Sequence, residues 1–268
     1  MSPWLEVCRA AAADIRQVLA DLPGRAEREP VLATGVGGDE TTAIDDAAEK
    51  AVVVRLEELH RQGHDFLLVS EELGERAFGE AATRVVVDPI DGSINAKRGL
   101  WHFCLSVAVA EGGTFGDVVF GYVHDFGSGE EWTATRGGGV RLDGRRLEAV
   151  ERDGSVEILA LEGTRSTSIA DKAAALSGYA RRFRIMGSLA LSLCQLAAGR
   201  VDAVCSLRDA RAVDVAAAQL IVRESGVDIG FADGRRWDEA PLDTAPQAIV
   251  VAAPTEELRE RLGEILLM

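Results

Sequence analysis

The segment Asp88-Pro89-Ile90-Asp91-Gly92-Ser93, directly behind the apolar run Val85-Val86-Val87, constrains this chain more than any other. A short β-branched run reads as a buried strand, so two carboxylates three positions apart stand at a strand end. Proline stiffens the turn between them, and the Gly-Ser pair can open a helix. One reading of the hexapeptide is an ordinary turn, since each of its residue types favours turns for its own reason. The other is a site: hard cations such as Mg²⁺ take carboxylate and phosphate oxygens, and N–H groups at a helix start seat phosphate. The spacing differs from an Asp-x-Asp nucleophile pair, and no Gly-Lys-Ser/Thr of a P-loop follows any glycine run.

At 268 residues and 47% hydrophobic, the chain has material for one large domain or two closely packed halves. A net charge of −15 argues against nucleic acid or an anionic membrane as the main partner. An anionic substrate then needs metal ions and local arginines to reverse the field. Cys8, Cys104, Cys194 and Cys205 lack CxxC spacing and are expected as buried free thiols in a reducing cytoplasm. No apolar run approaches the ~18 residues of a membrane span, and residues 1–16 carry acids without a signal-peptide core.

Apolar periodicity predicts helices over 5–22 and 45–59. Strands follow over 66–70, 84–87, 104–111, 118–124 and 131–135, and the glycine-rich stretch 137–144 reads as turns. The second half alternates: strands over 158–161, 181–185, 201–205 and 248–252, and helices over 168–177, 188–198 and 215–224. Strand–helix alternation implies an α/β layer. The expected division is 1–150, two helices and a meandering sheet with most of the acids, and 151–268, with a soft boundary inside one compact unit.

Further acids sit at comparable places. Glu71-Glu72 follows the strand 66–70, so pairing of that strand with 84–87 brings both acidic groups to one sheet edge. Asp214 reads as a helix N-cap or a metal ligand, and Asp45 as an N-cap or a solvated helix face. His60 and His64 are separated by the helix-breaking Gly63, which argues against zinc, and His102 and His124 lack companions. With no Gly-x-Ser-x-Gly elbow, an oxygen-ligand metal site remains.

Together, Ser70-Glu71-Glu72-Leu73-Gly74, Asp88 to Ser93 with Asn95, and Val213-Asp214-Val215-Ala216-Ala217-Ala218 running to Glu224-Ser225-Gly226 resemble the inositol monophosphatase family. Gly38-Asp39-Glu40-Thr41, Ser93 and Arg211-Ala212-Val213-Asp214 are similar to the archaeal dual fructose-1,6-bisphosphatase/inositol-1-phosphatases. The resemblance implies an α+β fold, a layered αβαβα sandwich, and a homodimer; the cytoplasmic expectation rests on the absent span and signal core. It implies a Mg²⁺ held by Glu71, Asp88 and the Ile90 carbonyl, a second held by Asp88, Asp91 and Asp214, and a third, weaker ion near Glu71. Asp45 and Ser93 would orient the third ion's water, and a metal-activated water would attack phosphorus in line. Asp91, Gly92 and Ser93 would meet the phosphate ester, and Arg184, Leu189 and Arg208 the rest of the substrate. The segment 34–39 is either a passive turn or a loop that closes on metal. From Arg208 to Asp214 the chain is one residue shorter than the family pattern, which leaves Arg208 less firmly placed than the acids.

The expected function is a Mg²⁺-dependent sugar-phosphate phosphatase acting on fructose 1,6-bisphosphate and inositol 1-phosphate. A 3′-phosphoadenosine nucleotide or histidinol phosphate is the alternative substrate. A catalytically silent metal- or anion-binding regulator is the alternative of another class, disfavoured because every acidic position is filled.

Overall fold

The computed structural model describes residues 2–35, 40–150, 152, 154–163 and 165–268. The chain begins with α1 (Pro3–Asp21), a single turn α2 (Arg25–Arg28), the antiparallel pair β1 (Val31–Thr34) and β2 (Glu40–Thr42), and α3 (Ala43–Arg61). Next come β3 (Phe66–Ser70), β4 (Gly74–Phe78), β5 (Arg84–Asp91), α4 (Ser93–Arg98), β6 (Cys104–Ala110), β7 (Val118–Asp125), β8 (Glu131–Thr135), β9 (Gly139–Leu142) and β10 (Arg145–Arg146). The second half holds β11 (Ile158–Glu162), α5 (Ser166–Leu176), β12 (Arg182–Arg184), α6 (Leu189–Ala197), β13 (Ala203–Ala210) and α7 (Ala212–Glu224). It closes with β14 (Asp228–Phe231), β15 (Ala248–Ala253) and α8 (Glu256–Leu267).

Two sheets organise these elements. The larger has the order β10-β9-β8-β7-β6-β5-β3-β4 and is antiparallel except for the β3–β5 pair. The smaller has the order β12-β11-β13-β15-β14, with β11 parallel to both its neighbours. Successive strand residues face opposite sides, so β5 serves two cores at once. Val85 and Val87 join Ile15, Val52 and Leu56 of α1 and α3, whereas Val86 joins Leu191, Ala217 and Ile221 of α6 and α7. A third core lies where α5 and α8 cover the smaller sheet, around Leu161, Cys205, Val251, Leu176 and Leu262. The stack is the αβαβα sandwich expected.

Position in the stack explains composition. Helix α7 runs between the two sheets and is buried continuously from Ala212 to Val222, so it needs no polar face. Its alanines permit close approach, and Gly121 of β7 completes it: a Cβ there would lie 2.6 Å from the Ala217 carbonyl oxygen.

Several local expectations need correction. The Asp88–Asp91 segment is not a turn beyond the strand; β5 continues through it, with an irregularity in its pairing to β6 between Asp88 and Asp91. The stretch 137–144 contains β9, and β4, β14 and α8 went unpredicted. Asp214 and Asp45 are not N-caps; each is the third residue of its helix and reaches back to the cap. Asp45 is also buried, not solvated. Residues 36–39 of the segment expected to turn or close lie outside the described residues. All four cysteines are buried free thiols, and no helix among the described residues is long and apolar enough to cross a membrane.

Candidate active site

A cavity of about 730 Å³ opens where β3, β5 and α4 of the first half meet the ends of β11 and β13 and the starts of α6 and α7. Parallel pairing of β3 with β5, Ser70 opposite Val87, carries Glu71 and Asp88 off the same sheet edge. Asp91 follows on β5, and Asp214 arrives in the first turn of α7. Glu71, Glu72, Asp88, Asp91, Asp214 and Asp45 all line the cavity.

Each carboxylate is held by a specific donor. Asp88 accepts from the Ile90 N–H at 2.9 Å. Asp91 accepts from the Ser188 hydroxyl at 2.6 Å and the Ala190 N–H at 2.8 Å, at the start of α6. Asp214 accepts from the Arg211 N–H at 2.9 Å. Asp45 accepts from the Thr42 N–H at 3.0 Å and hydroxyl at 2.5 Å, with the Lys97 ammonium 3.5 Å away. Glu72 accepts from the Thr41 hydroxyl.

Burial and mutual repulsion disfavour ionisation here. Burial first, then the Glu71, Asp91 and Asp214 charges, holds the Asp88 carboxyl well above its ordinary range. Burial, with the Asp214 charge, pushes Asp91 up to about 7. Glu71 is also pushed up to about 7 by burial, against the pull of Arg211. Concentrated, buried, oxygen-only donors of this kind suit a hard divalent cation. As the side chains stand, no three acidic, histidine or cysteine groups among the described residues are grouped to hold one ion. The guanidinium of Arg211 instead bonds both Glu71 and, at 3.3 Å, Asp214. The donor chemistry fits a metal, with that arginine in competition for it.

Beside the acids, Gly92 precedes α4 with φ of +92°, and Ser93 opens the helix. A Cβ on Gly92 would stand 3.0 Å from the His102 carbonyl oxygen, so only glycine fits this bend. Two polar side chains fix the helix. Arg28, buried, donates to the Ala96 carbonyl at 2.7 Å. Asn95 donates to the carbonyls of His102 and Met186 at 2.9 and 2.8 Å.

Opposite the acids, Leu189 and Arg208 line the cavity as expected, but Arg184 does not. It lies on the edge strand β12, where its guanidinium donates to the Phe183 carbonyl. Arg208 reaches the cavity because β13 breaks register with β15 between Cys205 and Asp209, and the Ser206 hydroxyl donates to the Arg208 carbonyl at 2.8 Å. Sequence reasoning missed Glu162, Arg165, Ser168, Lys97 and Arg211 as lining residues. Glu162 had a usable signal, an acid closing an apolar run as Asp88 does. It accepts from Ser192 at 2.5 Å and Gly187 at 2.9 Å, and burial pushes it up to about 7.

The model of the inositol monophosphatase family matches residues 1–266. A fructose-1,6-bisphosphatase/inositol-1-monophosphatase of Methanothermobacter thermautotrophicus is 31% identical over 98% of this chain and 96% of its own. Nus factor SuhB of Salmonella typhimurium is 31% identical over 99% of both chains. A crystal structure of an inositol monophosphatase–fructose 1,6-bisphosphatase superposes with a TM-score of 0.83 at 27% identity, covering 97% of this chain and 99% of that one. A layered sandwich with acids gathered from β3, β5 and α7 beside a Gly92 bend, matched over nearly its whole length, makes this chain a phosphatase of the inositol monophosphatase family.

Proposed function

We propose that the protein is a Mg²⁺-dependent phosphomonoesterase that hydrolyses sugar and polyol phosphates, fructose 1,6-bisphosphate and inositol 1-phosphate among them. The observation that carries this reading is one cavity lined by Glu71, Asp88, Asp91 and Asp214 on one side and Arg208 on the other. Glu71, Asp88 and the Ile90 carbonyl, and Asp88, Asp91 and Asp214, are the residues to hold two ions, with a third near Glu71. When bound, such ions lower the pKa of a water and stabilise charge on the reacting and departing oxygens.

The chain's own residues do the rest. Asp91 is oriented by Ser188 and Ala190, which leaves its other oxygen for the cavity. The N–H groups of Gly92 and Ser93 meet phosphate oxygens at the bend. Asp45 and Ser93 orient water, and Lys97 beside Asp45 limits the accumulated negative charge. Arg208, with Arg165, meets the far end of the substrate, where a planar guanidinium suits a second phosphate. Ser168 and Leu189 complete that wall.

Phosphate release from both esters, with Mg²⁺ and with chelator, tests the reading. Metal-dependent release from both supports it, and release from inositol 1-phosphate alone removes the bisphosphatase part. No release from either favours the silent regulator, a reading kept in view by the Nus factor relatives.

We further assign a cytoplasmic homodimer. Four buried free thiols suit a reducing compartment. Beside the cavity, Ile94, Leu100 and Trp101 are exposed, Trp101 by 79%, an apolar cluster suited to a second copy. Light scattering of wild type against Trp101→Glu checks it: a monomer mass from wild type would refute the dimer.

A further inference from the structure

Arg211 has no part in the reading above, yet it stands at the centre of the acids. It is 7% exposed, and its guanidinium bonds both Glu71, from the end of β3, and Asp214, from α7. The two carboxylates it joins belong to residues 140 positions and three positions away in sequence. Eight carboxylates line this cavity together with Lys97, whose ammonium faces Asp45. Arg211 is therefore the resident counter-charge for Glu71 and Asp214.

A guanidinium and a divalent ion compete for those oxygens, because two cations in contact with the same carboxylates repel. The backbone already allows for one of them to leave. The Arg211 N–H, not its side chain, bonds the second oxygen of Asp214 at 2.9 Å and caps α7. The helix start thus keeps its geometry wherever the guanidinium goes. Arg211 borders the same cavity as Arg208 and Arg165, so its side chain can turn toward an anionic ester.

We propose that Arg211 is a tethered cation that a divalent metal must displace from Glu71 and Asp214, so that metal entry and delivery of a guanidinium to the phosphate ester are one event. This rests on the metal-dependent reading of the site. It explains how carboxylates so strongly repelling stay together in a folded chain, and it sets the metal affinity below what the acids alone would give. Metal and anionic substrate then favour each other's binding, since each is favoured by the arginine's departure from the acids.

The test is Mg²⁺ titration calorimetry on chelator-stripped wild type and Arg211→Met, with thermal unfolding of both. The variant should bind Mg²⁺ about tenfold tighter, the competitor having gone. Without metal it should melt below wild type, and saturating Mg²⁺ should close that gap. A second measurement uses wild type alone: phenylglyoxal labelling of Arg211, read by peptide mass spectrometry, should rise several-fold on Mg²⁺ saturation. Mg²⁺ binding in wild type that is equal or weaker in the variant overturns the exchange while leaving the metal reading intact. Labelling that stays flat or falls with Mg²⁺ overturns it as well, independently of whether the variant folds. Wild type that binds no Mg²⁺ removes the metal reading itself, and the exchange with it.

Discussion

The two ends of the cavity are built on different principles. At the acidic end, Asp88 and Asp214 are buried and Asp91 is partly buried, and each is tied to a backbone N–H. At the far end, Arg165 and Arg208 are exposed, on segments that follow strands of the smaller sheet or interrupt them. Backbone donors fix a carboxylate without the entropy cost of ordering another side chain, so the acidic end is preorganised for one chemistry. Exposed arginines keep rotamer freedom and adapt to whatever anion enters. The contrast suggests that turnover resides at the first end and substrate choice at the second.

The most severe way to break that contrast is Asp91→Asn. It should lower kcat by orders of magnitude and leave the melting temperature close to wild type, because the Ser188 and Ala190 donors remain. Activity near wild type would refute the division. Gly92→Ala comes next, forcing a Cβ within about 3 Å of two carbonyl oxygens at φ of +92°. A loss on the order of 1–3 kcal/mol in urea unfolding is expected, together with reduced kcat.

Arg208→Ala should act on the other end. KM for fructose 1,6-bisphosphate should rise about tenfold, as for one lost charge-assisted contact, with kcat and inositol 1-phosphate kinetics little changed. Equal damage to both substrates would assign Arg208 to the common chemistry instead.

The smallest effect concerns Glu162, a buried acid that ties the far end to α6. Burial raises it from an ordinary carboxylate value of 4.5 to about 7 in the folded chain. Between those values the folded state binds a proton that the unfolded state does not, so stability falls as pH rises through that window. Glu162→Gln should flatten the fall in urea midpoint between pH 5 and pH 8. An unchanged slope would show that Glu162 does not titrate in this range.

Much of the acidic end was legible in the chain. Acids at the ends of apolar runs, as in Val87-Asp88 and Ser70-Glu71, announce themselves because strand and acid are neighbours in sequence. The helices over α1, α3 and α6 and the strand β3 were legible for the same local reason. Asp214 was misplaced by three positions relative to the start of its helix because Asp is a common N-cap, and only backbone geometry shows that α7 starts at Ala212. Strand β9 was hidden by the glycines at and around its ends, and α8 by its polar face.

Arginine was the least legible residue type. Arg184 and Arg165 are alike to sequence reasoning, yet one sits on an edge strand and the other borders the cavity. The periodicity of the layers and the oxygen-donor chemistry near the strand ends could be read from the chain, because both arise between near neighbours along the backbone. Which distant side chains enter the site depends on how the layers pack. Arg211 meets Glu71 across 140 residues because α7 is stacked between two sheets against the edge where β3 ends, a consequence of how the layers close that no local pattern encodes.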